Sequence, residues 1–181
     1  MYRILLAIVL WAGFLGPVSI AAREPRLHVL EVYGDGFAFV VREPPGWFVD
    51  STIAREFGAN VILYPTTRDP HLPGTLVMRL LVAKKISEDI GADLKHAMDY
   101  YRSRYHNLEF RDSAASHPHY RAYTKLICVP GKFCEYLTYL DPGPTRSLLL
   151  SVAFTRPGHP ATSIELAAYK HVVASISLNA N

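Results

Sequence analysis

Apolar and polar residues alternate with period two along much of this chain and switch to a helical period in two places. His28–Tyr33 (HVLEVY) and Phe37–Arg42 (FAFVVR) flank Gly34-Asp35-Gly36 and predict a first pair of strands joined by a turn. Glu43-Pro44-Pro45-Gly46 stops the second strand, because adjacent prolines cannot donate to a ladder. Trp47-Phe48-Val49 resumes an apolar run, and Asp50–Gly58 fits no single pattern. Ala59–Tyr64 (ANVILY) and Leu76–Ala83 (LVMRLLVA) read as strands, the latter apolar enough for burial on both faces. Between them Pro65–Thr75 is a long loop with three prolines.

The first helix is expected over Glu88–Tyr105, where Ile90, Leu94, Met98, Tyr101 and Tyr105 recur at helical spacing. Ser87 is the expected cap, Glu88 and Asp89 suit the first turn, and Gly91 weakens it. Strands follow at Leu108–Asp112, Tyr120–Val129, Phe133–Leu140 and Leu148–Thr155. A second helix starts at Thr162, where TSIE forms a capping box and Leu166, Tyr169, Val173 and Ile176 form the apolar stripe. Short connections make the sheet largely antiparallel, and two amphipathic helices must each bury a face on it. The expected class is an α/β (α+β) sandwich.

Four stretches carry a family resemblance: GFAFVVREPPGW, ANVILYP, LVMRLLVAKKISEDIGADLKHAMDYY and ATSIELAAYKHVVASISL. In order and pattern they resemble the PsbP-like family, whose fold is shared with a Ran-binding nuclear transport factor of the Mog type. The resemblance spans 28–178 as a single domain, with tails at 23–27 and 179–181. It implies an accessory or binding role. Members of the family include photosystem accessory subunits, exported bacterial proteins and periplasmic immunity proteins, and they share no catalytic set.

The amino terminus changes the picture. Arg3, the apolar run Ile4–Gly16, Pro17 and the small residues of Ser19-Ile20-Ala21 have the layout of a secretory signal peptide, 1–22. Export to the periplasm or beyond is expected, with no stable membrane span after cleavage. The alternative is an uncleaved anchor, since Ile4–Ala22 is nearly long enough to cross a bilayer. Nineteen Lys and Arg against sixteen Asp and Glu give a net charge of +3, which falls to +2 without Arg3. That balance is too small to argue for nucleic acid.

Export decides how the two cysteines are read. Cys128 and Cys134 flank Pro130-Gly131 in what reads as a hairpin, and an oxidising compartment favours a disulfide. If Val129 faces Phe133, then Cys128 faces Cys134 at a Cα distance of about 4.5–5.5 Å, within disulfide reach. A strict two-residue loop would set them diagonally, so a slightly longer loop is expected. There is no CxxC for redox chemistry and no further soft ligand for zinc.

The remaining chemistry is sparse. HExxH, P-loop, GxGxxG and GxSxG frames are all missing. His117 and His119, two apart in an extended segment, share a face and are the weak metal candidates; no cofactor is expected. Arg68, Asp69 and His71 in the long loop, with Arg146 in the Asp141–Arg146 turn, are candidate partner-binding residues. Two functions follow. One is a non-catalytic exported protein that binds or inhibits a protein partner in the cell envelope. The other is an exported hydrolase or metal-binding protein using loop histidines, among them His71, His117 and His159, with carboxylates.

Overall fold

The computed structural model describes residues 28–34, 36–113, 115–143 and 147–178. The expected signal peptide, both tails and Arg146 lie outside the described residues. Two antiparallel sheets enclose one helix, and a second helix lies on the far side of the larger sheet. The small sheet has the order β1-β2-β10, from Val29–Gly34, Phe37–Arg42 and Ser177–Leu178. The large sheet has seven strands. They are β3 (Trp47–Asp50), β4 (Val61–Pro65), β5 (Val77–Lys84), β6 (Glu109–Asp112), β7 (Arg121–Val129), β8 (Phe133–Asp141) and β9 (Leu148–Pro157). Their order is β3-β4-β5-β9-β8-β7-β6, and every pairing is antiparallel. The helices are α1 (Ile90–Arg104) and α2 (Ser163–Ser175). This is the α+β sandwich that the sequence predicts, a largely antiparallel sheet packed by two main helices.

α2 lies between the two sheets. Its Tyr169, Val172 and Val173 are fully buried against Phe39 and Val41 of β2 and Leu150, Val152 and Phe154 of β9. The Thr162 hydroxyl accepts from the Glu165 N–H and the Glu165 carboxylate accepts from the Thr162 N–H, so the capping box forms. One polar chain crosses this core. Tyr169 donates to the Val152 carbonyl at 3.2 Å, meets the Thr138 hydroxyl at 2.5 Å, and Thr138 meets Thr124 at 2.7 Å. Each buried hydroxyl therefore has a partner, which removes the cost of burying it.

The hairpin register is the predicted one: Val129 opposes Phe133 and Cys128 opposes Cys134. The cysteines are joined, with Cα atoms 4.1 Å apart, just short of the expected distance. The loop has three residues, Pro130, Gly131 and Lys132. Lys132 donates its N–H to Val129, and Gly131 takes φ 72°, as the third position of a type II turn requires.

Three local readings change. The cap of α1 is Asp89, which accepts from the Gly91 N–H at 2.9 Å; Ser87 instead exchanges hydrogen bonds with the Asp89 backbone. A carboxylate two residues before the acceptor-seeking N–H outcompetes a hydroxyl farther away. The ambiguous Asp50–Gly58 stretch holds a 3-10 turn, Ala54–Phe57. β5 is not buried on both faces, for Leu81 is 40% exposed. The reason is the placement of α1. Its Leu94 and Met98 pack on Ile127 and Leu137, above β7 and β8, and it leaves the β5–β9 half of that sheet face uncovered.

Candidate functional site: a trough beside α1

The uncovered half-face forms a trough. Its floor is β5, β9 and β8, and α1 is one wall. Two clefts run end to end along it, of about 360 Å³ and about 550 Å³. They share Arg79, Tyr100, Tyr101 and Glu135. The first is largely apolar, floored by Leu81, Ala83, Leu137, Leu149 and Ala153. The second is rimmed by Phe57, Gly74, Thr75, Tyr105 and Phe133.

Glu135 sits where the clefts meet. It is 3% exposed in mid-strand, so its charge must be matched locally. Register supplies the partners. On β9 the residue opposite Glu135 is Thr155, and Arg79 on β5 lies opposite Ala153, two residues along. Arg79 donates to Glu135 Oε2 at 2.8 Å, and Thr155 donates to the same oxygen. The Tyr101 hydroxyl of α1 donates to Oε1. Burial and the adjacent Glu135 charge push the Tyr101 phenol far above its usual range, so it stays a donor. Both carboxylate oxygens are thus occupied by the chain's own donors. The cluster fastens α1 to the sheet and fixes the trough's shape; it leaves no free base.

Aromatic rings line the α1 wall. Tyr101 meets Tyr100 edge-on and stacks with Tyr105, Tyr105 meets Phe133 edge-on, and Arg104 lies over the Tyr100 ring. Tyr100 is 51% exposed. Tyr and Arg presented this way are the residue types that anchor protein interfaces.

The loop candidates separate. His71 packs at a tilt against the Phe57 ring and lies 3.8 Å from Glu56, so its end of the Pro65–Thr75 loop borders the second cleft. Asp69 is used within the loop, accepting from the His71 N–H at 2.9 Å. Arg68 opens instead on a small cleft with Arg156 and Glu165. His117 has both ring nitrogens engaged: Nε2 with the Ile176 carbonyl at 2.7 Å, and Nδ1 with the N–H groups of His119 and Tyr120. Burial lowers its pKa, and it stacks on Tyr120 with centroids 4.3 Å apart. Such a ring ties its loop to the end of α2 and has no lone pair to offer a metal. Among the described residues no group of three or more His, Cys, Asp or Glu could hold a metal ion. His159 is exposed, and its ring Nδ1 lies 2.9 Å from the adjacent Pro160 carbonyl.

Sequence reasoning missed Arg79 and Glu135 as a site. The signal was present: one charge inside LVMRLLVA and one of opposite sign inside FCEYLTYL. Nothing local pairs them, since they stand 56 residues apart.

No protein-family profile and no curated protein matches this chain. Among solved structures, LpqN of Mycobacterium tuberculosis, described as involved in cell envelope biogenesis, superposes with a TM-score of 0.53 at 12% identity. The match covers 86% of this chain and 92% of LpqN. The solution structure of cyanobacterial PsbP (CyanoP) from Synechocystis sp. PCC 6803 aligns with a TM-score of 0.49 at 13% identity, over 93% of this chain and 99% of that one. At such identities the likeness to LpqN concerns the fold alone.

Proposed function

We propose that this protein is an exported accessory protein of the cell envelope that holds a protein partner in the trough beside α1 and turns over no substrate. The observation that supports it best is the trough itself: an apolar floor, an aromatic wall and a central carboxylate neutralised by Arg79, Thr155 and Tyr101. A site shaped in advance by such contacts loses little ordering entropy on binding. The disulfide fits an oxidising compartment. The envelope role of LpqN, which shares the fold, agrees with this reading. The His71 end of the long loop extends the surface; Arg68, Asp69 and Arg146 are secondary contacts in this reading. A hydrolase built on His71, His117 or His159 has no comparable support, because each ring is engaged separately.

Site-specific photo-crosslinking in the exported protein tests it. A crosslinker at Leu81 or Tyr100 should capture one partner, and the same group at Ile164, on the opposite side, should not. Leu81→Arg should weaken capture at Tyr100 by tenfold or more with an unchanged melting point. Capture at Ile164 only, or hydrolysis by the pure chain that Glu135→Gln abolishes, overturns the proposal.

A further inference from the structure

The aromatic wall of the second cleft carries two cations that the fold leaves unanswered. Arg104, in the last turn of α1, lines the cleft and lies 4.9 Å over the Tyr100 ring. Lys132, in the turn between β7 and β8, holds its Nζ 5.9 Å over the ring of Tyr105, which lines the same cleft. Both rings flank Tyr101, with centroids 6.1 Å and 6.4 Å from it, so the two cations share one stretch of wall. Both are exposed, and among the described residues neither has a carboxylate partner. Arg102, two residues before Arg104, is by contrast spent on Asp99 at 2.7 Å. The acids of the cleft are already engaged: Glu135 is matched by Arg79, and Glu56, on the 3-10 turn, has His71 at 3.8 Å.

We infer that the partner held in the trough presents an acidic side chain, aspartate or glutamate, to Arg104 and Lys132, and a neighbouring apolar side chain to the first cleft. A guanidinium resting on a ring face keeps its N–H edge free to fork onto a carboxylate, and an ammonium adds three donors. The tyrosine rings hold both cations in place, so little freedom is left to lose when the carboxylate arrives. The two clefts meet at Tyr100 and Tyr101, and the floor of the first, with Leu81, Leu149 and Ala153, takes an apolar side chain. One segment with an acid beside an apolar residue therefore answers both. A basic segment would set like charges against each other. This rests on the trough as the partner site and adds the chemistry that partner must present.

The test uses the exported chain, isotope-labelled, and two capped dipeptides: acetyl-leucyl-glutamate methylamide and its glutamine isostere, which lacks the charge. In NMR titrations the glutamate probe should move the amides of Thr75, Tyr105 and Phe133 saturably. The glutamine probe should bind at least threefold more weakly, a modest ratio because exposed ion pairs contribute little. Raising the ionic strength from about 0.05 M to about 0.5 M should shrink that ratio, since salt screens it. Arg104→Gln with Lys132→Gln should abolish it, whereas Lys95→Gln, which removes an exposed cation nearer the start of α1, should leave it intact. Equal binding of the two probes, no movement of these amides with either, or a double variant that discriminates like wild type overturns the inference. So does sodium acetate that moves the same amides at the same concentration as the dipeptide, which would mark a site for free anions. Crosslinks at Leu81 and Tyr100 that persist beside a silent glutamate probe would leave the trough standing and remove only its acidic subsite.

Discussion

The two faces of the large sheet have the same backbone, and they meet opposite fates. One face is closed: α2 and the small sheet cover it, and Phe154, Val152 and Tyr169 are fully buried. The other is half open, with Leu81, Ile86 and Tyr100 at 40%, 64% and 51% exposure. The closed face carries a chain of buried hydroxyls, Thr124, Thr138 and Tyr169, that ends on the Val152 carbonyl. The open one carries charges, Glu135 with Arg79 and the half-satisfied Asp93. The apolar core is concentrated on the first, and the open concave surface on the second. A helix that covers only part of a sheet leaves a preformed concave surface, and such surfaces are where binding sites lie.

The sharpest way to break the comparison is truncation on each face. Phe154→Ala should cost about 3–5 kcal/mol of unfolding free energy, because the closed core cannot refill the space. Leu81→Ala, on the open face, should cost less than about 1 kcal/mol. Urea denaturation of the two variants measures both, and comparable losses would mean that the trough is packed in solution.

A smaller effect is expected at the end of the trough's floor. Lys85 Nζ is 2.8 Å from Asp141 and 2.8 Å from the Gly143 carbonyl, and Arg121 reaches the other Asp141 oxygen at 3.0 Å. Burial by itself would raise the Asp141 pKa, but these donors and the Gly143 N–H outweigh it and hold the carboxyl below its usual range. A depressed folded pKa means stability that is present above the unfolded value, about 3.9, and is lost as pH falls through the folded one. Asp141→Asn should thus cost about 3 kcal/mol at neutral pH, since it strands the buried Lys85 ammonium. It should also flatten the decline in stability below about pH 4, read from melting points across that range.

The disulfide lies on the closed side, since Cys134 shares the face of Tyr136 and is buried. Replacing Cys128 and Cys134 together by serine should cost about 2 kcal/mol, the chain-entropy value for so small a ring. Crosslinking in the trough should be unchanged. A loss of both would show that the hairpin shapes the binding surface as well as stabilising it.

The sequence by itself determined most of the elements and the hairpin register, because strand alternation, capping residues and turn chemistry act over a few residues. Cys128 and Cys134 could be paired on paper since, once Val129 is set opposite Phe133 across a loop longer than Pro130-Gly131, the cross-strand partners follow by counting outward. The capping box of Thr162 and Glu165 is equally local. Tertiary structure alone decided where α1 would lie, and with it everything about the trough. The stripe of Ile90, Leu94, Met98, Tyr101 and Tyr105 announces a buried helix face but not which strands it covers. Arg79 and Glu135 became a pair only because β9 separates β5 from β8 in the sheet order. Tyr101 reads in sequence as one more packing residue, and the fold places its hydroxyl on Glu135. Hydrophobic periodicity states that a surface must be buried; which surface buries it, and how much remains open, depends on non-local packing.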